Sequence, residues 1–390
     1  MANPIFAALP TTVFEEMSGL ARETGAINLG QGFPDDPGPE DVRARAAEAL
    51  MSGSNQYPPM VGAPELRRAV AAHYHRTQGL DLDWEREVTV TSGATEALAA
   101  AFFGLLQPGD EVIVFQPVYD AYLPLIRRAG GAPKLVRLSP PAWRFDRAML
   151  EAAFSPRTRM VVLNNPVNPT GVVLPPEDLA LLAEFCVRHD ALAVCDEVWE
   201  QVVFAGAAHR PLMAFPGMRG RTVKIGSAGK MFGLTGWKVG FMCAAPELTA
   251  PLARAHQFLT FTTAPNLQAA VAYGLESGAD WFRRMPQALQ RSRDRLAAAL
   301  AREGFAVLPS QGTYFLNLDL PASGVDEPDR AFALRAVKQA GVASIPVSAL
   351  YEAAPVTTIL RLCFAKQDAV LDEAVARLAR ARELSRRQEA

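Results

Sequence analysis

The stretch EVTVTSGATEALAAAFFGLL, residues 87–106, holds two different periodicities joined by a polar hinge. Its first half alternates β-branched residues without a break and predicts a buried strand. Its second half is rich in alanine, leucine and phenylalanine and predicts a helix. The hinge, Ser92-Gly93-Ala94-Thr95, is small and polar. Reading outward, the same unit recurs. DEVIVFQP precedes a helix near YDAYLPLIRRAG, and RMVVLNNP precedes PEDLALLAEFCVRHD; ALAVCDE, TVKIGS and VGFMCA are further apolar strands. Continuous apolar strands separated by helices predict a mostly parallel sheet covered on both faces. Such sheets bind ligands beyond the carboxyl ends of their strands. The polar clusters SGAT, QPVY, NNPVNPTG, CDE and GSAGK all fall at those ends, which points to one shared site.

The C-terminal third changes character. DWFRRMPQALQRSRDRLAAALAREG predicts a long helix, followed by strands near TYFLNLDL, ASIPV and ILRLCFA and helices at DRAFALRAVKQAG and the C-terminus. This mix predicts a second, smaller α+β domain, and the charged ending RARELSRRQEA is expected to fray. The chain has 390 residues, which suits about two domains. With 39 basic and 41 acidic residues and a net charge of -2, the balance favours neither nucleic acid nor an anionic membrane as partner. The opening segment MANPIFAALPTTVFEEMSG lacks a basic n-region and reads as mature sequence, and no apolar run approaches a membrane span. Cys186, Cys195, Cys243 and Cys363 lie in apolar surroundings without metal-ligand spacing, as expected of buried thiols in a reducing cytoplasm.

SAGKMFGLTGWKVGF, residues 227–241, places Lys230 and Lys238 in a segment that otherwise avoids bulk and charge. A phosphate loop of the nucleotide-hydrolase type does not fit. Lys224 stands where its first glycine belongs, and Met231 follows the lysine. GQGFPD is not a dinucleotide fingerprint either, because Asp35 takes the third glycine's place. A cofactor with an aldehyde, a phosphate and a pyridine nitrogen does fit. The aldehyde needs a lysine amine to form a Schiff base, which Lys230 can supply. The phosphate needs backbone N–H groups at a helix start, hydroxyls and a cation, which Gly93, Ala94, Thr95, Ser227 and Lys238 can supply. The ring nitrogen needs a carboxylate, which Asp196 can supply, and Tyr119 can stack on the ring.

INLGQGFPD, NQYPPMVGAPELRRAV, TSGATEAL, NNPVNPTG, CDEVWE, SAGKMFGLTGWKVGF, HQFLTF, SIPVSALY and LRLCFAKQD run in this order over nearly the whole chain. In this ordered set the chain resembles class I pyridoxal-phosphate aminotransferases of fold type I, most of all the kynurenine, glutamine and methionine aminotransferase branch. The resemblance implies an α/β large domain with a mostly parallel seven-stranded sheet (residues 41–287) and a smaller α+β domain (residues 1–40 and 288–390). It implies pyridoxal 5′-phosphate as cofactor and a homodimer with shared active sites. Lys230 matches the Schiff-base lysine that also moves the substrate's α-proton, and Asp196 the partner of the ring nitrogen. Asn168 matches the side chain on the cofactor's phenolic oxygen; read alone, it is an ordinary turn asparagine before Pro169. Ser227, Lys238, Ala94 and Thr95 match phosphate ligands, and Tyr57 a phosphate ligand lent by the partner subunit. Tyr119 matches the stacking aromatic, although read alone it is equally a core residue. Arg361 matches the fork for the substrate α-carboxylate, and Gly32 a backbone position beside it. Trp199 departs from the pattern, since the family usually has tyrosine there, donating to the phenolic oxygen.

The expected activity is transfer of the α-amino group of a neutral or aromatic L-amino acid (glutamine, methionine, kynurenine or phenylalanine type) to a 2-oxo acid by a ping-pong route. Arg361 is the one carboxylate fork in view, so acidic donors are disfavoured. The first rival is a C–S β-lyase with the same fold and cofactor. The second is a regulatory domain without turnover, for which the chain offers no basic N-terminal extension.

Overall fold

The computed structural model describes residues 2–387. Its central sheet has seven strands: β1 (Val88–Thr91), β2 (Glu111–Gln116), β3 (Ala132–Arg137), β4 (Thr158–Asn164), β5 (Leu192–Asp196), β6 (Thr222–Ser227) and β7 (Gly240–Cys243). Their spatial order is β1-β7-β6-β5-β4-β2-β3. Only β7 runs antiparallel to its neighbours, and all other pairs are parallel. β1, β5, β6 and β7 are buried along their whole length, which is why they read as mainly apolar or β-branched runs, with Lys224 the one charge inside β6. β3 lies at the edge and alternates between exposed and covered positions. That strand escaped the sequence reading, because an edge strand needs no continuous apolar run.

Register decides what meets at the carboxyl ends. Asn164 pairs with Asp196 across β4 and β5, and Asp196 with Ile225 across β5 and β6. Ser227 pairs with Gly240, and Gly240 with Thr91. The polar clusters of four strands therefore share one edge. The Gly93–Leu105 helix leaves β1 and is buried nearly all round; its run of small residues lets it pack between the sheet and the Pro246–Leu259 helix.

A second sheet is antiparallel, with Ile345–Pro346, Ile359–Cys363, Phe315–Asp319 and Ala306–Leu308 in that order. Arg361 sits on an inner strand, opposite Asn317 on one side and Ile345 on the other. Ile27–Asn28 pairs in parallel with Val342–Ala343 and ties the N-terminal segment to this part of the chain. The Ala279–Arg302 helix joins the two regions, and the expected boundary between residues 287 and 288 falls inside it. The last helix continues to Arg387; residues 388–390, the end of the segment expected to fray, lie outside the described residues. Among the described residues no helix is long and apolar enough to cross a membrane. All four cysteines are free and buried.

Candidate active site

A cavity of about 330 Å³ lies beyond the strand ends, between the two sheets. Lys230 stands in the short Ala228–Met231 helix that follows β6. Its amine lies 3.5 Å from the Gly32 carbonyl and 4.8 Å from the centre of the Trp199 ring. No acidic side chain forms an ion pair with it among the described residues. Burial lowers its pKa to about 8, against the opposing pull of the Asp196 charge.

Asp196 ends β5 and is 5% exposed. Burial raises its carboxyl above the usual range, opposed by a hydrogen bond that Tyr122 Oη donates at 2.5 Å. A positive charge beside this carboxylate would bring it back down. Asn164 Nδ2 donates to the Asp196 carbonyl at 2.9 Å, and Asn164 Oδ1 accepts from the Asn168 backbone at 2.7 Å. Strand pairing thus fixes the loop that carries Asn168.

Arg361 reaches the same cavity from the second sheet and is 1% exposed. It donates to the Gly30 carbonyl at 2.6 Å and to Asn168 Oδ1 at 3.1 Å, and its guanidinium lies 4.0 Å from the Phe315 ring centre. Its Nε is buried with no acceptor. Burial without a carboxylate partner lowers its pKa to about 10. An orphaned charged donor in a dry wall is costly unless a ligand completes it. Gly32 presses on the same ring, since a Cβ there would come within 2.7 Å of Phe315.

At the opposite end, Gly93 opens its helix at φ +76°, and a Cβ would meet Lys238 Nζ at 3.1 Å. Gly240 packs bare backbone on bare backbone; a Cβ there would lie 2.7 Å from the Gly93 carbonyl carbon. The free N–H groups of the first helical turn, Ser227 and Lys238 therefore converge on a space kept clear of side chains.

The chain matches the family described as aminotransferase class I and II over residues 24–378. It is a class I/II aminotransferase. The aminotransferase is 44% identical to N-succinyldiaminopimelate aminotransferase from Mycobacterium tuberculosis. That solved structure superimposes with a TM-score of 0.95, covering 98% of this chain and 100% of that one. It is 40% identical to the methionine aminotransferase of Escherichia coli K12, over 95% of this chain and 96% of the relative. It is 37% identical to human kynurenine–oxoglutarate transaminase 1, over 91% and 92%. Amino acids and 2-oxo acids are thus its substrates, and pyridoxal 5′-phosphate is its cofactor.

The residues present fit that cofactor. Lys230 can take the aldehyde, Asp196 the ring nitrogen and Asn168 the phenolic oxygen, with Ala94, Thr95, Ser227 and Lys238 at the phosphate. Tyr119 borders the same space, edge-on to Tyr122 at 5.6 Å. Trp199 is 3% exposed and packs edge-on against Tyr314 at 4.4 Å. It turns a ring face toward Lys230, where the family's tyrosine was expected to present a hydroxyl. Tyr57 alone among the expected residues is absent from this cavity. It is 83% exposed and meets Phe261 edge-on at 5.4 Å.

Among the wall residues that the sequence reading did not single out are Thr12, Phe14, Asp120, Tyr122 and Asn164. Tyr122 opens the Tyr122–Arg128 helix, just after the loop that carries Tyr119. Asp120, between them, is a half-buried carboxyl that burial raises above its usual range.

Proposed function

We propose that this aminotransferase takes the α-amino group from a neutral or aromatic L-amino acid, of glutamine, methionine, kynurenine or phenylalanine type, and passes it to a 2-oxo acid in two ping-pong half-reactions. The observation that carries the reading is Arg361. It is a buried guanidinium with an unmatched Nε, on the same cavity as a lysine whose amine is not paired with acid. Bound here, the cofactor supplies a carbonyl carbon and an electron-accepting ring. Arg361 holds the donor's α-carboxylate beside Gly32. Lys230, with its pKa lowered to about 8, takes the α-proton and returns it at the cofactor's side. Asp196, steadied by Tyr122, keeps the ring nitrogen protonated.

Within this cavity no basic residue is left over for the donor's side chain. The only basic side chains on the described cavity wall are Lys230, Lys238 and Arg361, and Asp120 adds a carboxylate. An acidic side chain would be desolvated without a partner. A second reading, an N-succinyldiaminopimelate donor, has its own support. The cavity adjoins a groove of about 690 Å³ through Thr12, Thr95 and Asp120, which gives room for a long donor, and the mycobacterial enzyme of that name is 44% identical.

The proposal includes a homodimer that lends Tyr57 to the neighbouring site, supported by the exposed apolar group Met51, Tyr57 and Phe258, which are 86%, 83% and 84% exposed. It also includes a cytoplasmic setting, supported by four free thiols. The test is a donor panel against several 2-oxo acids: methionine, glutamine, kynurenine, phenylalanine, aspartate and N-succinyldiaminopimelate. The first four are expected to give the highest kcat/KM. A dominant value for aspartate overturns the reading, and one for N-succinyldiaminopimelate selects the second. Pyruvate and ammonia released from cysteine conjugates without an acceptor would point to a β-lyase.

A further inference from the structure

His256 has no exposed surface and lies in the last turn of the Pro246–Leu259 helix. Its Nδ1 is 3.0 Å from both oxygens of Glu96, and its Nε2 is 2.9 Å from the Met60 carbonyl. An ionised carboxylate and a carbonyl only accept hydrogen bonds, so both ring nitrogens donate and the ring is an imidazolium. Burial lowers its pKa, but the Glu96 hydrogen bond and charge, with help from the backbone of Met60 and Phe261, outweigh it and leave the value above the ordinary one. Glu96 supplies the one charge that acts on the ring. The other elements packed against it offer neutral groups, the Met60 carbonyl and the Thr260 hydroxyl at 3.4 Å from Nδ1.

Each partner of His256 adjoins a segment assigned to a phosphate, in this subunit's site or in the neighbouring one. Glu96 accepts from the Ser92 backbone at 3.1 Å, directly before the helix start that presents Ala94 and Thr95. Met60 lies in the segment that carries Tyr57. Phe261, whose N–H donates to the His256 carbonyl at 3.3 Å, supports the Tyr57 ring from below. We propose that His256 is a positioning residue for the cofactor phosphate: its doubly donating ring clasps the start of the Gly93–Leu105 helix to the segment that holds Tyr57, and loss of either donated bond loosens both. This rests on the assignment of Ala94, Thr95, Ser227 and Lys238 to the phosphate.

The test compares equilibrium binding of pyridoxal 5′-phosphate and of pyridoxal to the cofactor-free full-length protein, across pH. Both compounds use Lys230, so the ratio of their affinities cancels that lysine's titration and isolates the phosphate. In the native protein the ratio is expected to fall as pH rises through the titration of His256. In His256→Gln it should be about tenfold lower at pH 6 and lack the native protein's fall. Glu96→Gln removes the charge that holds the proton and should move that fall to lower pH; it also serves if His256→Gln folds poorly by circular dichroism. Lys238→Gln and Ser227→Ala check the underlying assignment. If they lower the ratio while His256→Gln and Glu96→Gln leave both its size and its pH profile unchanged, the clasp is wrong and the phosphate site stands. If none of the four changes it, the phosphate assignment itself is wrong.

Discussion

Two lysines six residues apart show how little burial alone says about reactivity. Lys224, within β6, has no exposed surface and is held between Glu197 and Glu200, with its ammonium 4.4 Å from the Tyr74 ring centre. Burial pulls its pKa down, but the two carboxylates overwhelm it and the net shift is upward. Lys230, just past the end of the same strand, is also walled in but has no paired acid, and its pKa falls to about 8. The Glu197, Glu200 and His209 ligand atoms lie within 4.8 Å of one another, a geometry that could take a cation, and the Lys224 ammonium fills it. The same residue type thus serves as a fixed counter-ion at one point and a usable base at the next. The difference is made entirely by where the acids are.

The strongest way to break this contrast is to remove the unpaired lysine. Lys230→Ala should abolish the visible band of the bound cofactor and lower turnover by about 10^4-fold. Borohydride reduction of the native holoenzyme followed by peptide mass mapping should place the adduct on Lys230; an adduct on Lys224 or Lys238 would reverse the assignment. Lys224→Met should instead cost stability. It leaves Glu200 buried without a charge partner and Glu197 with His209 alone, a loss of about 3–5 kcal/mol in denaturant unfolding. Unaltered stability would mean that these carboxylates are not ionised.

Two smaller effects sharpen the comparison. Trp199→Tyr puts a hydroxyl near the phenolic oxygen, and the pH midpoint of the holoenzyme's visible band should drop by up to about one unit. An unmoved midpoint would show that the indole or water already serves there. The two lysines should also pull stability in opposite directions with pH. Lys230 holds its proton less tightly folded than unfolded. From about 8 up to the ordinary 10.5, its unfolded form binds more protons, so stability of the cofactor-free protein rises with pH. Lys224 is raised; its contribution is complete below the ordinary 10.5 and is lost only above it, as pH climbs through the folded value. Chemical denaturation across alkaline pH, native against Lys230→Met, should show the Lys230 increment vanish in the variant.

Much of the site was legible because its parts sit at strand ends inside short local patterns. Asp196 closes an apolar run, Lys230 follows one, and Asn168 stands in a turn with two prolines. What was hidden depends on partners distant in sequence. Tyr122 reads as helix filler until its hydroxyl is seen on Asp196, 74 residues away. Lys224 entered only as a misfit in a phosphate-loop pattern, because its glutamates lie on a neighbouring strand end. β3 was missed for its alternating, edge-strand composition. Tyr57 was named from resemblance, yet nothing in a single chain brings it to the cavity.

The bare contact between Gly240 and Gly93 has a consequence for engineering. A library that varies Thr12, Phe14 and Asp120, all on the cavity wall, changes that wall without touching the helix start, so on the proposed reading new amino-donor preferences are reachable by small steps. Any side chain at position 240 displaces the helix start instead, and every member of the library carrying one loses its hold on the phosphate together. The enzyme is thus modular at one end and indivisible at the other: its substrate range can be edited, while its cofactor seat is inherited whole.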